Sequence, residues 1–270
     1  MSKIFILISC FVISVFVLFM GYDIIFKGRK YMNSFSKSPL DYALRQDMIK
    51  KNIWSPSCPV SMDRLNLLKV SYVDFEGNEH HNGLLVVHDV AADHVLSIFK
   101  ILYEKKFPIN SVNLINEYNG NDEKSMEANN SSAFICRPIQ STGVISIHSY
   151  GLAVDINPQQ NPYLLTKYEP GKTKVDIFPP QGMEFINRRN IRAGMVETII
   201  DDNSHDDVIH IFNKHGFSVW GGNWNDPIDW HHFQVTREQA ETIAKLSYEE
   251  GLEFFNKLTE SQAILTNNQE

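Results

Sequence analysis

Two short stretches, far apart in the chain, carry the side chains best suited to chemistry. The first, residues 146–155, reads Ser-Ile-His-Ser-Tyr-Gly-Leu-Ala-Val-Asp and contains His148 and Asp155. The second, Asp229-Trp230-His231-His232-Phe233, contains an acid and two imidazoles. Catalytic zinc is typically held by three protein ligands drawn from His, Asp, Glu and Cys, with a fourth position left open. His148, Asp155 and His232 would fill three corners of such a site. Asp229, three residues before His232, is then a spare carboxylate and the candidate general base that takes a proton from an attacking water.

The spacing of the first pair demands a bend. On a regular helix His148 and Asp155 would lie roughly 10 Å apart, too far to grip one ion. On a regular strand their odd offset would put them on opposite faces. Gly151 lies between them and tolerates the backbone angles that a sharp bend needs. After it, Leu152-Ala153-Val154-Asp155-Ile156-Asn157 reads as a short buried strand. A carboxylate in that apolar run requires a partner, and a metal is one.

These residues resemble a known family. Ser-x-His-x(6)-Asp, followed far downstream by an acid, two residues and a histidine, is similar to the zinc-dependent D-alanyl-D-alanine carboxypeptidases and L-alanyl-D-glutamate endopeptidases. Further segments resemble the family in the same order: Ser131-Ser132-Ala133-Phe134-Ile135-Cys136-Arg137, Asp155-Ile156-Asn157-Pro158, Asn161-Pro162-Tyr163 and Trp220-Gly221-Gly222-Asn223-Trp224. The accessory pieces look most like the endolysin-type endopeptidases, with the vancomycin-resistance-type D,D-carboxypeptidases second. The resemblance covers residues 58–235.

It implies zinc on His148, Asp155 and His232, with Asp229 as the base. It also implies Arg137 as a substrate-facing cation that stabilises the oxyanion, and Ser146 as a hydrogen-bonding partner of the substrate. The substrates implied are the stem peptides of peptidoglycan. The family spacing selects His232, but two histidines stand where the family has one ligand. His231 would be an outer partner or face the substrate, and a register built on Asp226 or His231 stays open. Two rivals are a wall-binding module that keeps the fold without catalysis, and a closed structural zinc site with His231 as fourth ligand.

The bulk numbers fit this reading without demanding it. The chain has 270 residues, 43% hydrophobic and 21% charged, which suits a globular protein with one sizeable domain. A net charge of -7 with no long basic block excludes nucleic acid as an expected partner. Of three cysteines, Cys10 lies in an N-terminal apolar run. Cys58 and Cys136 would pair in an exported domain or stay as buried thiols.

That apolar run marks residues 1–26 as a secretory signal or an N-terminal membrane anchor. Lys27, Arg29 and Lys30 follow it, which argues against export of what comes after. A wall substrate argues for export, so an exported, periplasmic or envelope-associated location is expected. Residues 27–57 read as a linker, 58–260 as the peptidase domain and 261–270 as a flexible tail.

Within the domain, residues 65–75 and 83–88 read as a hairpin around Glu76-Gly77-Asn78, and residues 90–105 as a helix. Residues 159–182 show no clear period and read as a long excursion over the cleft. Residues 206–215 read as a helix, and Thr236 with Gln239 opens another reaching about residue 258. The expected fold is α+β, with an antiparallel central sheet carrying the zinc site and helices at its sides.

Overall fold

The computed structural model of the chain describes residues 35–139, 142–201 and 203–267. The expected signal or anchor, residues 1–26, lies outside them. Among the described residues no helix is long and apolar enough to cross a membrane.

The chain enters as an edge strand, β1 (Ser36–Pro39), followed by helix α1 (Tyr42–Lys50), whose N-cap Asp41 accepts from the Leu44 amide. β1 pairs with β2 (Leu65–Val73), and β2 pairs with β3 (Glu79–His88), giving an antiparallel sheet in the order β1-β2-β3. The Asp74 side chain accepts from the amides of Glu76 and Asn78 and closes the predicted hairpin turn. Helix α2 (Ala92–Glu104) covers β2. Its Val95, Ile98, Phe99 and Leu102 fall at helical spacing, and all four are fully buried.

The expected linker is not one beyond residue 35. Leu40, Met48 and Ile53 enter the same core as α2 and the hairpin, and Asn116 donates to Asp47. The folded unit therefore starts before Cys58. Polar composition hid this, because α1 buries only Met48 on one side.

Next come β4 (Ser111–Val112), helix α3 (Asp122–Glu127) and β5 (Asn130–Ser131), which runs parallel to β4. Residues 132–137 then cross the molecule in extended form. Phe134 donates to the Val86 carbonyl, and Ser132 exchanges backbone bonds with Asp155. β6 (Ala153–Asp155) belongs to a second three-stranded antiparallel sheet.

The region expected to be aperiodic is a hairpin, β7 (Tyr163–Glu169) and β8 (Lys172–Phe178). Its alternation was masked because both faces mix polar and apolar residues. Short strands β9 (Ile199–Asp201) and β10 (Asp206–Asp207) lead into helix α4 (Val208–Lys214). β11 (Val219–Trp220), β12 (Ile228–Asp229) and β13 (His232–Gln234) complete two small sheets, β11-β13-β6 and β12-β7-β8.

The C-terminal part is two helices, α5 (Arg237–Ile243) and α6 (Tyr248–Asn267), where one was expected. Thr236 and Gln239 form the predicted capping box. The backbone stays helical through Asn267, so most of the expected flexible tail is part of α6. The α+β class and the antiparallel site-bearing sheet hold, but that sheet lies beside a larger one and is not the sole centre of the fold.

Candidate active site

The first site element is a single 310 turn, Ile147–Tyr150. Ser146 caps it, its hydroxyl accepting from the His148 amide at 3.3 Å. Gly151 ends it at φ +69°, in the left-handed region. A Cβ there would lie 2.5 Å from the His88 amide nitrogen, which donates to the Gly151 carbonyl at 2.8 Å. The bend inferred from sequence thus also docks the turn on the hairpin β2–β3. It brings His148 within 3.1 Å of Asp155.

His232 arrives from the other side. In the β6–β13 ladder it lies directly opposite Asp155, so both side chains share one face. His232 Nδ1 is 3.0 Å from Asp155 Oδ1 and 3.1 Å from His148 Nε2. All three residues are buried, and their ligand atoms lie within 4.8 Å of one another.

The tautomers follow from the outer partners. His148 Nδ1 faces the Ala133 carbonyl, which can only accept, so its proton sits there. His232 Nε2 donates to Gln234 Oε1 at 2.7 Å. Both inward nitrogens, Nε2 of His148 and Nδ1 of His232, are then bare lone pairs pointed at each other beside a carboxylate. Three lone-pair donors at such distances repel unless a cation sits among them. Zinc bound to nitrogen or oxygen at about 2.0–2.1 Å in a tetrahedron separates its ligands by about 3.3 Å. The donor set fits that metal, with the outer hydrogen bonds that orient metal-binding histidines.

Charge follows the same logic. Burial works against the Asp155 charge, yet the fields of His148 and His231 beside it hold its carboxyl well below the ordinary range.

Asp229 sits on β12, opposite Tyr163 of β7. Its placement depends on Gly221, where a Cβ would come within 2.5 Å of the Asp229 carbonyl and 2.8 Å of its Cβ. Burial pushes the Asp229 carboxyl up, against the opposing pull of His231 and His232. His231 is not grouped with the ligands. Its Nδ1 donates to the Asn161 carbonyl at 2.8 Å, and its Nε2 approaches Asp229 Oδ1 at 3.0 Å. That approach makes no hydrogen bond, and Oδ1 is left buried without a hydrogen-bond partner. His231 is thus left out of the grouped ligand atoms, with its Nε2 3.9 Å from Asp155 Oδ2. Asp226 accepts from the Thr166 amide, away from the ligands.

Arg137 closes the site from a third direction. Its backbone is fixed to the His148 turn, since Ser146 donates to the Arg137 carbonyl and Arg137 donates to Ser149 Oγ, each at 3.0 Å. The preceding residue, Cys136, is bonded to Cys58, so the disulfide and not the pair of thiols is present. The guanidinium pairs with Asp122 at the start of α3. Burial opposes its charge, but Asp122, and beyond it Asp155 and Asp229, hold that charge in place. Its Nε is buried with no partner.

Sequence reasoning missed Gln234, the Ala133 carbonyl and Asp122. Gln234 had a usable signal, because residues two apart on a strand share a face and can meet. Trp224 packs near His232, with ring centroids 5.5 Å apart, whereas Trp230 is buried beneath Arg188. One tryptophan therefore borders the site and the other supports it. Among the described residues, His80, His81, His88, His94, His205, His210 and His215 are not part of the ligand group.

Residues 140–235 match the family model described as D-alanyl-D-alanine carboxypeptidase. The matched segment takes in His148, Asp155, Asp229 and His232, and leaves Arg137 just outside. Searches of curated proteins and of solved structures found no match. The segment is similar to that family, and the likeness points to a metallopeptidase.

Proposed function

We infer that this chain is a zinc peptidase that hydrolyses the stem peptides of peptidoglycan. The observation that carries the reading is a pair of buried polar atoms that make no hydrogen bond: Asp229 Oδ1, which can accept and has only the 3.0 Å contact with His231, and Arg137 Nε, which can donate. Buried polar atoms are rarely left unsatisfied, and sites awaiting a reactant are one reason they are. When bound, zinc would supply Lewis acidity, polarising the peptide carbonyl and making a water more acidic.

The chain's own residues do the rest. His148, Asp155 and His232 would hold the ion, oriented by Ala133 and Gln234. Asp229 takes the proton from the attacking water and returns it to the leaving amine. Arg137, steadied by Asp122, donates Nε–H toward the oxygen on which negative charge grows. Ser146 holds the His148 turn through its amide contact, and its hydroxyl hydrogen is the part available to a substrate. Cleavage of an L-Ala-D-Glu bond or removal of a terminal D-alanine both fit this apparatus, and the accessory motifs favour the first. A peptidase of this kind would work outside the cytoplasm, consistent with a disulfide beside the substrate-facing arginine.

The test is mass spectrometry of muropeptides digested by the zinc-loaded chain. New N-termini at one stem-peptide bond support the reading, and intact muropeptides with zinc bound would favour the non-catalytic wall-binding module.

The raised pKa of Asp229 gives a pH prediction. A general base works ionised. A carboxyl pushed above the ordinary value of roughly 4 loses its charge earlier as pH falls. The acid limb of kcat/KM is therefore expected above about pH 4. A pH–rate profile flat down to that value would show that Asp229 is not the base.

A further inference from the structure

The three-stranded sheet β12-β7-β8 carries more than the catalytic acid. Directly paired residues of antiparallel strands point to the same face, and that face recurs every second residue. Asp229 is opposite Tyr163, and Tyr163 is opposite Phe178. The face that bears Asp229 therefore continues outward through Leu165 and Asp176, then through Lys167 and Lys174. Two ion pairs confirm the shared face, because both lysines bond to the Asp176 carboxylate.

The inner part of this strip is apolar. The rings of Tyr163 and Phe178 lie 6.1 Å apart. Burial, followed by the fields of Asp229 and Asp226, raises the Tyr163 hydroxyl, while Arg137 opposes it. Strand pairing thus places Tyr163 beside Asp229. The outer part is cationic. Asp176 is only 14% exposed, whereas Lys167 and Lys174 are 49% and 60% exposed. Two cations share one carboxylate, which leaves an outward net positive charge. Four residues of strand separate Tyr163 from Lys167, about 13 Å at ~3.3 Å per residue.

We propose that this strip is an extended substrate subsite, in which Tyr163 and Phe178 floor the peptide beside the cleaved bond and Lys167 with Lys174 bind a substrate carboxylate about four positions away. The occupant is an extended acidic peptide. Charge complementarity and continuity with the acid-bearing face select it. The proposal rests on the peptidase reading above and deepens it.

The test compares two stem peptides on the full-length, zinc-loaded chain. One carries a free carboxylate four residues from the cleaved bond; the other carries the amide there. The acid is expected to show a KM about 3- to 10-fold lower at low salt, the range that two partly exposed ion pairs supply, with kcat unchanged. In the Lys167→Gln, Lys174→Gln double variant, and in wild type at about 1 M salt, that preference disappears. Unchanged zinc content and kcat on the amide peptide show that the variant is folded. Equal KM values for wild type, or a preference that survives in the variant, would overturn the subsite alone. Cleavage of neither peptide by wild type would overturn the peptidase reading, and the subsite with it.

Discussion

An Asp229→Asn variant is expected to bind zinc as the parent does and to turn over peptide substrate about 100- to 10,000-fold more slowly, the contribution of a positioned acid–base group. The exchange is nearly isosteric, so the tight approach of Gly221 to residue 229 is kept. The ligand atoms of His148, Asp155 and His232 are untouched. What is lost is the ability to accept a proton at an oxygen that is buried without a hydrogen bond. Metal analysis together with single-turnover rates separates this from collapse of the site. Turnover at the parent rate would remove Asp229 from the mechanism.

The second large effect is expected for His148→Ala, which should lose both metal and activity. Two ligands, Asp155 and His232, remain on adjacent strands. The third corner, which reached them only through the bend at Gly151, becomes empty. The Ala133 carbonyl also loses its donor. Zinc content after dialysis should fall far below one per chain, and activity should fall to background. Full zinc retention in this variant would mean that the metal sits elsewhere. The two variants form a pair: one keeps the metal and loses the proton acceptor, and the other loses the metal.

Much of the site was legible in the sequence because its residues are individually conspicuous. A histidine and an acid either side of a glycine, and an acid three residues before a histidine, are patterns of type and spacing. The bend at Gly151 could be argued from them, whereas the choice of His232 over His231, and of Asp229 as the acid apart from the ligands, came from the family resemblance; the structure groups His232 with His148 and Asp155. The partners that set tautomers and charge were not legible. Ala133 contributes only a backbone carbonyl, which no side-chain pattern announces. Asp122 meets Arg137 only because α3 is placed there by the tertiary fold. The hairpin α2–β2–β3 core followed from periodicity. The early start of the fold did not, because β1 is exposed along its length and is held by backbone pairing. Similarly, β7 and β8 lack the clean alternation of a half-buried sheet, since their outer residues are charged on one face and exposed on the other.

The pairing of β13 with β6 has a consequence for how the protein matures. His232 follows Asp155 by 77 residues and meets it through strand register alone. A nascent chain lacking its last strand has only two of the three candidate ligands, His148 and Asp155. On the zinc reading, full coordination therefore requires β13 to pair with β6, and chelation should loosen that ladder before it disturbs the α2-covered hairpin.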